Sequence, residues 1–231
     1  METEGIAARL ARVKERIEQA RARAGRADAV TLVAVTKTHP PETVRAALEA
    51  GITDAGENRV QELETKVATL GRGAVRWHLI GHLQRNKVRQ ALPLFDLVHS
   101  LDSERLAQAL SAEAVKMGVT VRALVEINSV GEESKGGFAA EAAVDAVARL
   151  AELPGLALVG MMTMAPFTED LDVIRRAFAN TRRACEDAAR QVPGFTGEHL
   201  SMGMSNDFET AVEEGATLVR VGSSIFGERG A

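Results

Sequence analysis

Residues 32–40 read LVAVTKTHP, a nearly unbroken apolar run rich in β-branched side chains that stops at Lys37, between two threonines. A strand with one wet face alternates apolar and polar residues. This run, taken as 31–36, does not alternate and reads as a strand covered on both faces, as in a parallel sheet. A lysine closing such a strand is costly unless it reaches solvent, finds a partner or has a task.

Seven further short apolar runs follow, at 52–55, 76–80, 97–100, 121–128, 156–161, 198–202 and 218–221. Helical patterns separate them: one opened by Pro40-Pro41 and stopped by Gly51, then 60–70, 86–92, 104–117, 139–153 and 171–191. Asn206 and Glu209 have the spacing of a capping box ahead of Ala211 and Val212, with Gly215 as the stop. Eight strands alternating with helices imply a parallel sheet covered on both faces. Closure into a (β/α)₈ barrel leaves no edge strand and is the expected architecture. A doubly wound open sheet is the alternative, but it predicts a glycine-rich dinucleotide turn after an early strand, and none is present. The sequence ends nine residues after Gly222, too few for a full eighth helix. The N-terminal pattern of Ile6, Leu10, Val13 and Ile17 predicts an amphipathic helix that could take that place.

Composition narrows the function classes. The 231 residues carry 28 Lys and Arg against 32 Asp and Glu, a net charge of −4, which gives no electrostatic footprint for nucleic acid. Seven Phe, one Trp and no Tyr are too few for a base-stacking surface. One cysteine, Cys185, excludes an internal disulfide framework and, lying within a helical run, is expected to be an inert, buried thiol. No apolar run approaches the ~20 residues of a membrane-spanning helix. A cytoplasmic protein is expected.

In such a barrel, chemistry collects at the C-terminal ends of the strands. Lys37 stands at the first. It either snorkels to solvent or, partly desolvated, serves as an amine that condenses with a carbonyl. The last stretch, TLVRVGSSIFGER, places Arg220 between Val219 and Val221, so alternation turns it to the opposite face. If that face is the barrel interior, the guanidinium needs a carboxylate or a ligand as acceptor. Gly222-Ser223-Ser224 follows with backbone N–H groups and hydroxyls where barrels often bind phosphate. SMGMSND (201–207) adds hydroxyls at the seventh strand end. His78 and His82 have the i, i+4 spacing of a helical metal pair, but Gly81 and the strand-like 77–80 argue against a helix there. His39, His99 and His199 are expected to pack or cap.

The segments VAVTKTHP, GENRVQE, WHLIGHLQRNK, HSLDS, GEESKGGF, GMMTMAP and LSMGMSNDFETAVEEGATLVRVGSSIFGE, in this order and spacing, resemble the pyridoxal phosphate homeostasis protein family, small relatives of the alanine racemase barrel. The match runs from about residue 28 to 229. The resemblance implies a single barrel domain, 1–231, with pyridoxal 5′-phosphate (PLP) held as a Schiff base on Lys37. By motif position it implies Asn58 near the ring and Ser201 and Ser205 at the phosphate end. Arg220 would face the pyridine nitrogen, with Gly222 and Ser223 on the phosphate. It further implies buffering and delivery of PLP, with apo PLP-dependent enzymes as partners, and no assigned catalytic residue. Members usually carry Gly-Thr where this chain has Gly222-Ser223, and position 130 is Val instead of the more usual Ser.

The residues also bear on catalysis. An Arg opposite the pyridine nitrogen can only donate, which leaves the ring unprotonated and a weaker electron sink. Racemases of the related fold compensate with a lysine and a tyrosine as two bases. This chain has no Tyr, Cys185 sits mid-helix, and no β-rich second domain is expected. A slow PLP-dependent amino-acid racemase remains the alternative to a carrier, and a Schiff-base aldolase for phosphorylated sugars is the third reading. Without the racemase dimer contacts, a monomer is expected.

Overall fold

The polypeptide closes on itself through a ring of parallel strands, and the ring order follows the chain. The structure, a computed structural model, describes residues 5–129, 131 and 136–227. After helix α1 (Ile6–Arg23), the elements run β1 (Thr31–Val35), α2 (Pro41–Glu49), β2 (Asp54–Glu57), α3 (Val60–Leu70) and β3 (Arg76–Leu79). A 3₁₀ turn (Arg85–Lys87) leads into α4 (Val88–Ala91), β4 (Leu97–Leu101), α5 (Glu104–Met117) and β5 (Val121–Asn128). Next come β6 (Phe138–Ala139), a 3₁₀ turn (Ala140–Ala142), α6 (Ala143–Ala151), β7 (Leu156–Met162) and α7 (Leu171–Gln191). The chain finishes with β8 (His199–Ser201), α8 (Phe208–Glu213), β9 (Leu218–Val221) and α9 (Ser223–Phe226). The β1–β9 pairing (Leu32 beside Val219, Ala34 beside Val221) and the β4–β5 pairing close an eight-stranded barrel. The two-residue β6, not foreseen from sequence, lies outside the ring against the end of β5.

Strand alternation sorts the side chains into two apolar groups. Ala34, Trp77, Leu79, Val98, Val125, Val219 and Val221 face the helices and join their buried faces in the larger cluster. Val33, Leu97, Leu124, Val159, Met162 and Leu218 form the smaller cluster that fills the barrel. At the seam, α9 is a single turn. α1 packs against α8 and α9 there, as its amphipathic spacing predicted, and ion pairs Arg16–Glu209 (3.1 Å) and Arg23–Glu213 (2.8 Å) stitch it to α8.

Two local expectations need correction. The second strand covers Asp54–Glu57, two residues later than 52–55, because tertiary partners make two buried carboxylates tolerable inside it. The capping box does not form. Asp207, not Asn206, stands at the N-cap of α8, its carboxylate accepting from the Met204 N–H (2.6 Å), while Glu209 is engaged by Arg16.

Candidate functional site

A cavity of about 300 Å³ opens at the C-terminal ends of the barrel strands. Six of the seven residues singled out for a cofactor line it: Lys37 after β1, Asn58 after β2, Ser205 after β8, and Arg220, Gly222 and Ser223 on or after β9. Val35, Ile80, Met164 and Met204 supply apolar wall.

The backbone that presents Lys37 is held from three sides. Thr38 adopts φ 67°, which a β-branched residue avoids, and its N–H is clamped by Glu62 Oε2 of α3 (2.7 Å). The carbonyl of Thr36 accepts from Lys66 Nζ of α3 (2.6 Å), and Lys66 also pairs with Glu57, a contact of two fully buried charges. Burial pushes the Glu57 carboxyl up, against the pull of Lys66 and Thr36. His39 stacks on Phe226 at 4.7 Å and borders the cavity. Lys37 itself is half-buried, lines the cavity and pairs with no carboxylate among the described residues.

Gly222 lets strands β1 and β9 converge. A Cβ there would lie 3.2 Å from the Val35 carbonyl oxygen. Its N–H donates to Ser205 Oγ (3.3 Å), which ties the two hydroxyl-bearing loops together. On the far wall, Gly81 allows a similar approach, since a Cβ would come within 2.5 Å of the Asn58 carbonyl oxygen. Asn58 is thus backed by the β3 loop.

Arg220 forms the cavity floor at 4 % exposure. Its acceptors differ from the carboxylate or ligand expected from sequence. Nη1 donates to the Ser201 carbonyl (2.7 Å) and to Ser201 Oγ (2.6 Å), and Nη2 donates to the Thr163 carbonyl (3.0 Å). Burial pulls its pKa down to about 10, with Asp207 and Glu126 pulling the other way, so the group stays cationic. Ser201, the seventh singled-out residue, is fully buried beneath Arg220 and does not line the cavity.

Two histidines read from sequence as packing or as half of a metal-like spacing belong to a buried polar string instead. Asp54 Oδ1 meets His78 Nε2 (2.9 Å), His78 Nδ1 meets His99 Nε2 (2.9 Å), and His99 Nδ1 meets Ser201 Oγ (2.8 Å). Burial, with the charges of His78, Arg220 and His199, holds the His99 imidazole well below its usual range. Burial alone would raise the Asp54 carboxyl, but hydrogen bonds from His78, Arg76 and Thr53 outweigh it and hold the group far below the usual carboxylate range. The period-2 alternation of β3 and β4 puts His78 and His99 inside the barrel, and that signal was legible. Their mutual contact was not, because it joins different strands.

His82, by contrast, lies at the rim, its Nδ1 2.8 Å from Asp102 Oδ2, so the two histidines do not converge. Among the described residues no group of His, Cys, Asp and Glu is arranged for a metal ion. Cys185 is buried in α7, and burial raises its thiol to about 12, as befits an inert residue. Position 130 lies outside the described residues.

Comparison with known proteins agrees with this architecture. Residues 8–230 match the family model of the alanine racemase N-terminal domain. A pyridoxal phosphate homeostasis protein of Aquifex aeolicus is 41% identical over 222 residues, covering 96% of this chain and 97% of its own length. Among solved structures, an unknown protein from Bifidobacterium adolescentis superposes with TM-score 0.92 at 39% identity, over 96% of this chain and 94% of that one. PipY of Synechococcus elongatus, solved with PLP bound, superposes with TM-score 0.84 at 35% identity, over 96% of this chain and all of that one. With its barrel closed and its strand-end motifs gathered at one cavity, the chain belongs to the pyridoxal phosphate homeostasis proteins within the alanine racemase N-terminal domain family.

Proposed function

We propose that this protein binds PLP in the cavity at the C-terminal barrel mouth, as a Schiff base on Lys37, and takes part in PLP homeostasis as a carrier, not as a robust catalyst. The observation that carries the reading is the donor set of that cavity. One uncommitted lysine, one buried guanidinium and the hydroxyls of Ser205 and Ser223 surround a space of about 300 Å³. An aldehyde, a ring nitrogen with a lone pair and a phosphate ester match those donors group for group. When bound, the cofactor supplies an aldehyde that an amine captures reversibly and a ring that withdraws electrons.

The chain's own residues would do the rest. The Lys37 amine adds to the aldehyde carbon, a C=N bond forms, and the aldehyde oxygen leaves as water. Arg220, held from below, offers its remaining N–H donors to the ring nitrogen and keeps it unprotonated, since a guanidinium does not give up its proton. Asn58 would border the ring. The Gly222 backbone and the Ser205 and Ser223 hydroxyls would hold the phosphate. Ser201 would act beneath this layer, through Arg220. Support for a carrier comes from the names of the relatives and from the chain's lack of any Tyr to serve as a second base. Apo PLP-dependent enzymes in the cytoplasm would be the recipients, with the protein acting as a monomer.

The test is a spectrum. Purified protein given PLP should gain a visible band, borohydride should fix the adduct on the Lys37 peptide by mass, and Lys37→Ala should do neither. Incubation with an apo PLP enzyme should then restore that enzyme's activity. A borohydride adduct on any other lysine, or none, ends the reading. Lys37-dependent exchange of amino-acid α-protons at an enzymatic rate would favour a racemase over a carrier.

A further inference from the structure

The string below the cavity has a direction. Asp54 sits in β2 with both carboxylate oxygens occupied. Oδ1 accepts from Arg76 Nε (2.7 Å) and faces His78 Nε2, and Oδ2 accepts from Arg76 Nη2 and Thr53 Oγ1 (2.7 Å each). An ionised carboxylate cannot donate, so His78 carries its proton on Nε2. If that is the ring's one proton, His78 Nδ1 is bare and accepts from His99 Nε2. That leaves His99 Nδ1 bare, and it accepts the Ser201 hydroxyl proton. At the other end a guanidinium cannot accept, so the Ser201 oxygen receives Arg220 Nη1. With both imidazoles neutral, the two ends fix every proton between them, and each points toward Asp54.

The route is also specific in space. His99 lies on β4 and Ser201 on β8, strands that are not neighbours in the ring, so their 2.8 Å bond crosses the barrel interior. None of Asp54, His78, His99 and Ser201 lines the cavity, and all four are buried. Hydrogen bonds in series within a low-dielectric interior polarise one another. The anion at Asp54 therefore makes each acceptor up the string stronger, ending at the Ser201 oxygen that competes for Arg220's protons. The other charges facing this string include Arg76 at its foot, Asp96 and His199 beside the imidazoles, and Glu126 and Asp207 near Arg220.

We propose that Asp54, His78, His99 and Ser201 form a unidirectional hydrogen-bonded relay that sets how strongly Arg220 donates into the cavity, which makes them positioning residues for the ring of the bound ligand. The inference rests on the cofactor reading for what fills the cavity, and on geometry alone for the relay. Asp54→Asn keeps an acceptor oxygen for His78 and removes the charge. Arg220 then becomes the stronger donor to the ring nitrogen, the ring draws more density from the Lys37 nitrogen, and the proton held there leaves at lower pH. Ser201→Ala frees Arg220 by a different route, with the same sign.

The experiment has two arms. In protein loaded with PLP, the pH midpoint of the visible band is measured for the parent, Asp54→Asn, Ser201→Ala and the double variant. Each single change should lower the midpoint by about half a pH unit, the order of one weakened hydrogen bond. The double variant should show no more than Ser201→Ala alone, since the relay is already cut. Additive shifts, as a charge acting through space would give, or an unmoved midpoint overturn the relay. The second arm needs neither cofactor nor variant. Nitrogen NMR of the unloaded parent should find His78 and His99 protonated at Nε2 and bare at Nδ1, and a proton on His99 Nδ1 overturns the proposal. A parent that takes up no PLP sinks the reading of the cavity instead, and the nitrogen spectra still decide the relay.

Discussion

Lys37 and Arg220 are two cations on the walls of one cavity, and the fold treats them in opposite ways. Arg220 is 4 % exposed, with three hydrogen bonds committed to Ser201 and Thr163. Lys37 is half-buried and pairs with no carboxylate among the described residues, although the backbone of its neighbours Thr38 and Thr36 is held by Glu62 and Lys66. The difference follows from chemistry. An ammonium can release its proton and become a nucleophile, so tying it to a carboxylate would disable it. A guanidinium stays charged, so its use lies in where it points, and that calls for firm anchors.

The comparison can be broken first at Arg220. Arg220→Ala leaves a cavity and strips the Ser201 and Thr163 acceptors of their donor, so the expected loss is roughly 3 kcal/mol in denaturant unfolding. A loss below about 1 kcal/mol would mean that the anchors contribute little. Next in size is the pH dependence. His99 has a depressed pKa in the folded state, so the unfolded chain takes up its proton first. Stability contributed by this group is complete above the ordinary histidine range near 6.5 and is lost as pH falls below it toward the folded value. The slope should approach about 1.4 kcal/mol per pH unit between roughly pH 6 and 5, and His99→Gln should flatten it.

Two smaller effects sharpen the contrast. Ser223→Ala should weaken binding of a phosphate-bearing ligand by about 1 kcal/mol, one hydrogen bond's worth, measured by dialysis or calorimetry. Unchanged retention in both Ser223→Ala and Arg220→Ala would misplace the ligand in the cavity. Smallest in stability is Lys37→Ala, which should shift unfolding by no more than about 0.5 kcal/mol, because no ion pair is lost. A large destabilisation would show that Lys37 is structural after all.

Much of the site was legible because barrel strands deliver their end residues to one place. Lys37, Asn58, Ser205, Gly222 and Ser223 follow strand ends, and Arg220 announced its inward face by standing between Val219 and Val221. The errors cluster where charge is buried. Residues 54–57 read Asp-Ala-Gly-Glu, which no propensity favours as a strand, yet β2 is there because Arg76 and His78 satisfy Asp54 while Lys66 and Thr36 both bond Glu57 Oε1. The capping box failed for a related reason, Arg16 of α1 having claimed Glu209 from a helix almost two hundred positions away.

From its sequence alone, this protein's alternation of strands and helices, its closure into a barrel and the lysine that ends its first strand were determined, because periodicity and burial are local properties of the chain. Which groups share protons was decided only by the tertiary structure. Asp54, His78, His99, Ser201 and Arg220 come from five different strands, and hydrogen bonds between them exist only once ring closure has set those strands side by side and opposite one another.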